Sequence, residues 1–291
     1  MTWKRVATAA VLIPLVVGLV VQASTGVVAL AVALVMLLAL FEFFALGDAI
    51  GHRAYRFWTA TCAIMLVYVQ WLAAAEPLRQ LGPGIIVRGG FGRFYGTLPT
   101  VTDVFFLFVL GVAALTLWTR RPLVEALPAA GISSGGLLLV AFPLSFAVRL
   151  HGLADLGPWL LLFSLVIVWV GDSAAYFVGR SIGRHSLAPH LSPKKTWEGT
   201  IASLLGSLAV GLVFSRWVNI PLPQLLGMAA AGNLFGQTGD LLESAYKRSA
   251  GVKDSGAILP GHGGILDRID ALILAIPVVW YYWIWICSPR T

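Results

Sequence analysis

The stretch "GVVALAVALVMLLALFEFFAL", Gly26–Leu46, decides the class of fold. Its one ionisable residue is Glu42, and the rest is apolar over the roughly 20 residues that a helix needs to cross a bilayer core. Comparable runs recur at about 6–22, 57–75, 101–119, 131–149, 157–179, 200–217, 224–248 and 268–287. Polar residues interrupt only the second half of the 224–248 run. Short alternating segments of the barrel type are absent from the sequence, so the reading is an all-α polytopic transmembrane helical bundle of about nine spans. The first run has the length of a signal peptide. No small-residue cleavage site clearly ends it and more spans follow, so it reads as a retained helix.

Composition points the same way. Of 291 residues, 58% are hydrophobic and 11% charged, against about 25% charged in soluble domains. A formal charge of +7 would suggest a nucleic-acid partner in a soluble protein. Here membrane orientation accounts for it, and no nucleic acid is expected. With a cytoplasmic N-terminus, the inner segments hold Lys4, Arg5, Arg53, Arg56, Arg120, Arg121, Arg180, Arg184, Lys194, Lys195, Lys247, Arg248, Lys253 and Arg268. The outer segments hold Arg79, Arg88, Arg93, Arg149, Arg216 and Arg290. That asymmetry is the positive-inside pattern, and an odd number of spans places the C-terminus outside. Cys62 and Cys287 lie in apolar runs with no metal spacing between them, which reads as ordinary packing.

The chain divides unevenly. Residues 1–150 read as a scaffold of lipid-facing helices with short basic loops, and residues 151–291 as a catalytic region with a polar site on the cytoplasmic side. The longer outer loop, about 76–100, contains "GPGIIVRGGFGRFYG" and reads as an irregular interfacial segment. No Gly-Lys-Ser/Thr follows it, so it is no phosphate loop. Glu42, inside a span, and Asp48, just beyond it, leave open a functional role or a helix-packing hydrogen bond.

Polar residues gather from Gly171 onward. Asp172 falls in the cytoplasmic half of the sixth span, its role open. Ser192–Gly199, "SPKKTWEG", reads as a turn leading into the seventh helix, with Ser192 capping a turn begun at Pro193. Lys194 and Lys195 serve there as positive-inside anchors or as a phosphate grip. In "GDLLESAYKR", Asp240, Glu243, Ser244 and Lys247 follow i, i+3, i+4, i+7 and share one helical face. Each charge facing lipid at mid-membrane would cost about 2.5–3.5 kcal/mol on insertion scales. The face therefore lines a polar cavity or lies at the cytoplasmic edge, unless it is a structural salt-bridge ladder.

The complement is "KDSGAILPGHGGILDRID", Lys253–Asp270. Gly261, Gly263 and Gly264 permit close backbone approach or positive φ. His262 reads as a hydrogen-bond donor at the helix start or a phosphate ligand, and lacks partners at zinc spacing. Asp267 and Asp270, at i and i+3, project from one face as the ninth helix begins. With Asp240 they form a set of hard oxygen ligands suited to Mg²⁺. Lys247, Arg248, Lys253 and Arg268 suit phosphate oxygens.

Three segments in this order, Ser244–Arg248 ("SAYKR"), Lys253–Gly256 ("KDSG") and Leu259–Asp270 ("LPGHGGILDRID"), resemble the signature of the phosphatidate cytidylyltransferases, or CDP-diacylglycerol synthases. The upstream "SPKKTWEG" and "GDLLES" resemble that family's other recurring segments. The resemblance is strong over about the last 120 residues. Tyr246 stands where the family usually shows an aliphatic residue or Phe, and Tyr can pack there with its hydroxyl at a polar edge.

The resemblance implies a transferase of the bacterial inner membrane, its site facing the cytoplasm. It would convert CTP and phosphatidic acid, drawn from the bilayer, into CDP-diacylglycerol and pyrophosphate. It implies Mg²⁺, leaves open a second cation, and suggests a homodimer. Carried onto this chain, the catalytic set is Asp240, Asp267, Lys247 and Arg268. The metal ligands are Asp240 and Asp267, with Asp270 as a third ligand or a carboxylate behind them. Substrate contacts fall to Ser192, Lys194, Lys195, Ser244, Arg248, Lys253, His262, Gly263 and Gly264, with Glu243 and Asp254 orienting the cations. The chemistry asks for alignment and charge neutralisation more than for a strong base, since the lipid phosphate is already ionised. A secondary transporter would spread its polar residues over two corresponding halves, and no internal repeat is seen. The aspartate spacings of CDP-alcohol phosphotransferases and prenyltransferases are not found.

Overall fold

The computed structural model describes residues 2–74, 86–89, 92–95, 99–119, 122–258 and 263–288. Among them, nine helices account for nearly all the regular structure. They are α1 (Thr2–Gln22), α2 (Thr25–Ala49), α3 (Arg56–Ala74), α4 (Val101–Trp118), α5 (Leu123–His151), α6 (Gly157–Ile182), α7 (Trp197–Phe214), α8 (Leu222–Ser249) and α9 (Leu266–Tyr282). Helix α5 passes through a π turn at Gly136–Ala141, and α9 ends in another at Trp283–Cys287. Each helix falls on one of the apolar runs, and the protein is an all-α polytopic membrane protein.

Seven of the nine are long and apolar enough to cross a bilayer. In α1 the stretch Ala10–Gln22 is shorter, and α8, although 28 residues long, carries too much polarity in its second half. Two antiparallel hairpins complete the described structure. Ile86–Gly89 (β1) pairs with Gly92–Tyr95 (β2) within the 76–100 segment, so these residues are paired strands rather than irregular. Ser186–Ala188 (β3) pairs with Ser192–Thr196 (β4) between α6 and α7. Ser192 therefore opens a strand and does not cap a turn. The α7 cap is Thr196, whose hydroxyl accepts from the Gly199 amide at 3.2 Å.

Buried apolar residues form two clusters. One gathers α6, α7, α8 and α9 around Phe163, Ile167, Leu225 and Val279, and the other gathers α2, α3 and α5 around Met36, Leu40, Leu66 and Leu137. Helix α9 borders both, giving Ile276 to the first and Ile273 to the second. Large side chains such as Leu30, Phe57 and Leu117 point outward, as lipid contact permits.

Lipid tails are as apolar as leucine, so close packing and polar contacts hold such helices together. Both devices fix α8. A Cβ at Gly239 would lie 2.5 Å from the Asp270 carbonyl oxygen, and one at Gly232 would lie 2.7 Å from Ile167. These glycines let α8 approach its neighbours closely. On the α7 side the buried Asn233 amide donates to Ser203 at 2.9 Å and Ser207 at 2.8 Å. Helix α8 is thereby registered against α6, α7 and α9, with Gly239 against Asp270 near the start of α9.

Candidate active site

The last three turns of α8 and the first turn of α9 hold most of the buried charge. The four residues at i, i+3, i+4 and i+7 do share a face, and it is turned inward: Glu243 is 4% exposed and Ser244 is buried. Carboxylate oxygens of Asp240, Glu243 and Asp270 all lie within 4.8 Å of one another. Neither Glu243 oxygen has a partner in hydrogen-bond geometry, although the Lys247 ammonium lies against one of them. Asp172, on α6, is near enough to interact electrostatically with Asp240 and Asp270.

Cations are interleaved with this cluster. Lys195, on β4, pairs with Asp240 at 2.5 Å. The hairpin's polar sequence makes sense in that position, since it carries a lysine to the end of α8 and then turns into α7. Lys247 pairs with Glu243 and also donates to Asp267 Oδ1 at 2.6 Å. Arg248 turns away, donating to the Leu191 and Val252 carbonyls at 3.3 and 3.2 Å and tying the hairpin to the α8 terminus. Arg268 is exposed and lies within electrostatic reach of Asp172.

Asp267 is placed differently from the other carboxylates. The sequence reading put it among the metal ligands, but it is not in the group within 4.8 Å. Besides Lys247, its oxygens accept from the Gly264 amide at 2.8 Å and the Ser255 amide at 3.0 Å. It thus ties the residue before the helix cap to Ser255, and the N–H groups of Ile265 and Leu266 at the helix start need another acceptor. Glu243, read as an orienting residue, pairs with Lys247 and also stands inside the carboxylate cluster. Gly263 adopts φ +80°, and a Cβ there would fall 2.7 Å from Asp267 Oδ2, so the turn requires glycine.

Glu42 supplies what sequence spacing alone did not reveal. From α2 its Oε1 accepts from the Ile265 amide at 3.0 Å, and its Oε2 accepts from the Leu266 amide at 2.8 Å and the Ser255 hydroxyl at 3.1 Å. The available signal was a carboxylate inside an apolar span. Its partner, some 220 residues away, was not readable. Tyr246 packs edge-on against Phe43, the neighbour of Glu42, at 5.7 Å between ring centroids.

Lys194, Lys253 and Asp254 are exposed on the adjoining strand and loop, and Ser192 is half-buried. Gly264 is buried against Glu42. His262 and Gly261 lie outside the described residues, as do Leu259 and Pro260.

The donor set is one a hard divalent cation accepts: three converging carboxylates, one with an unpartnered buried oxygen, flanked by ammonium groups. Such an array suits a ligand rich in phosphates.

Residues 3–286 match the model of the cytidylyltransferase family. The chain is 50% identical over 121 residues to the phosphatidate cytidylyltransferase of Staphylococcus saprophyticus, covering 41% of this chain and 46% of that protein. It is 41% identical over 138 residues to that of Bacillus subtilis, 47% of this chain and 51% of the relative. With the enzyme of Haemophilus influenzae it shares 41% identity over 136 residues, 45% of this chain and 47% of the relative. The matched stretch spans about half the length of these curated relatives. With a family match from the first helix to the last, the chain belongs to the cytidylyltransferase family.

Proposed function

We propose that this chain is a phosphatidate cytidylyltransferase, transferring CMP from CTP to phosphatidic acid with release of pyrophosphate. The observation that carries the reading is the convergence of Asp240, Glu243 and Asp270 beside Lys195 and Lys247. Family membership and the names of the relatives supply the nucleotide and the lipid.

In the proposed reaction a phosphate oxygen of the lipid attacks the α-phosphorus of CTP. A new P–O bond forms as the bond from the α-phosphorus to the bridging oxygen breaks, and the electron pair leaves with pyrophosphate. The attacking oxygen is ionised near neutral pH, so the residues' work is alignment and neutralisation. Lys195, Lys247 and Arg268 meet phosphate oxygens, with Lys194, Arg248 and Lys253 available to the outer part of the polyphosphate. Backbone at Gly263 and Gly264 allows a phosphate close approach, and Ser192, Ser244 and His262 are further contacts. Asp254 and Glu243 orient the cations.

Asp240, Asp267 and Asp270 would hold Mg²⁺, joined by Glu243. Asp267 lies outside the group within 4.8 Å and adjoins it through Lys247, which it shares with Glu243, so metal binding there would require Lys247 to move aside. The metal would neutralise charge developing on the phosphates, and the number of cations, one or two, is left open.

We place the site at the cytoplasmic face of a bacterial inner membrane, with the N-terminus inside and the C-terminus outside after nine spans. In this scheme residues 1–150 act as scaffold and 151–291 as the catalytic region. A homodimer is the expected assembly, and chemical cross-linking in native membranes checks it.

Incubation of the purified protein with labelled CTP, phosphatidic acid and Mg²⁺ tests the reading. CDP-lipid and pyrophosphate should form in equal amounts. Their absence at every metal concentration tried refutes it.

A further inference from the structure

We infer that Glu42 is a positioning residue, a buried acceptor that holds Ser255 and the start of α9 in the arrangement the site needs. The inference rests on the proposed reaction for its kinetic consequence, but its geometry stands apart from any substrate. Three donors converge on one carboxylate that is 5% exposed: the Ile265 and Leu266 amides and the Ser255 hydroxyl. A helix-packing bond would need one donor. Here two are the unpaired N–H groups at the start of α9, where the positive end of the helix dipole favours an anion.

Gly256 and Gly264 make room for that carboxylate. A Cβ on Gly256 would come within 2.4 Å of Glu42 Oε1, and one on Gly264 within 2.3 Å of Oε2. A side chain at either position would push the Glu42 carboxylate out of its place. Ser255 then links two carboxylates, its hydroxyl donating to Glu42 and its amide to Asp267. Asp267 in turn accepts from Lys247. The connection Glu42–Ser255–Asp267–Lys247 runs from α2, in the half of the chain without the motifs, to the edge of the carboxylate cluster. Displacing Ser255 and the start of α9 shifts Asp267, and with it Lys247.

Groups that orient ligands without touching the reacting atoms typically cost about 10–100-fold in metal affinity or activity when removed. Glu42→Ala and Ser255→Ala should be purified and compared with wild type at equal folded fraction, scored by thermal midpoint in detergent. Three quantities are read: turnover, the Mg²⁺ concentration for half-maximal rate, and hydrogen exchange at Ile265 and Leu266. Glu42→Ala is expected to lower turnover per folded molecule about 10–100-fold. It should also raise the Mg²⁺ requirement and accelerate exchange at both amides. Ser255→Ala should move the same quantities in the same direction by less, and Glu42→Gln, which keeps one acceptor oxygen, should recover part of the loss. Wild-type turnover and Mg²⁺ dependence in Glu42→Ala, even with a lowered midpoint, overturn the inference and leave Glu42 as packing. If wild type itself makes no CDP-lipid, the proposed reaction fails and exchange decides the clamp. Faster exchange in Glu42→Ala upholds it, and unchanged exchange overturns it.

Discussion

Lys247 is a buried cation shared by two buried carboxylates, and that arrangement has a definite energetic consequence. Its side chain is 12% exposed, Glu243 4% and Asp267 7%. Removing one member of such a group leaves the others uncompensated, which typically costs about 3–5 kcal/mol. Lys247→Met should therefore lower stability by about that amount, seen as a depressed thermal midpoint in detergent, and should abolish turnover as well. Adding Glu243→Gln removes one of the stranded charges, so the double variant should regain part of the stability and none of the activity. Asp240→Asn separates the two properties differently. Asp240 is half-exposed and paired with Lys195, so its loss should leave the midpoint nearly unchanged. Turnover should fall by about 100–1,000-fold, as when a preorganised electrostatic group is deleted from a reaction centre. Chelation of divalent metal should abolish activity in the wild type, with Mg²⁺ restoring it.

At the scale of elements, the crossing of α8 and α9 decides whether the cluster exists. Gly239 has no room for a side chain, because its Cβ would meet the Asp270 carbonyl oxygen at 2.5 Å. Gly239→Ala must push the helices apart just where Asp240 and Asp270 converge. Overpacking of this kind costs about 1–3 kcal/mol, and turnover should fall by more than the stability loss alone explains. Gly131, in α5, has nothing within 4 Å of the same position. Gly131→Ala should be neutral, or stabilising by up to about 1 kcal/mol, the helix-propensity difference. Thermal midpoint and turnover measured on the pair test this contrast. The helices themselves were legible from apolar run length, and the inward face of α8 from its i, i+3, i+4, i+7 spacing. The β3–β4 hairpin was not, since strands of three and five residues are too short to reveal a period. Asp267 was recognised as a site residue, but its backbone bonds depend on where a loop folds back, which spacing along a helix cannot show. Glu42 was conspicuous as a charge in a span, and its donors were hidden by sequence distance.

For the whole molecule, the question is which face of the membrane the site occupies. Connectivity constrains it. The β3–β4 hairpin joins α6 to α7, and its Lys195 reaches Asp240 near the end of α8. The segment after α8 leads to α9, whose first five residues include Asp267 and Asp270. The hairpin, the α8 terminus and the α9 start therefore share one face. The turn between α7 and α8, around Trp217, belongs to the other end of both helices. The lysines and arginines at 180, 184, 194, 195, 247, 248, 253 and 268 all accompany the first face, and an excess of basic residues marks the cytoplasmic side. Single cysteines at Lys194 and at Trp217, each in a chain with Cys62 and Cys287 changed to Ser, separate the two faces. Both positions are exposed, so a membrane-impermeant maleimide reads sidedness directly. Lys194→Cys should label in inverted membrane vesicles and not in intact cells, and Trp217→Cys should do the reverse. If Lys194→Cys labels from outside intact cells, the site faces away from the cytoplasm, where CTP is made, and the proposed reaction loses its nucleotide supply.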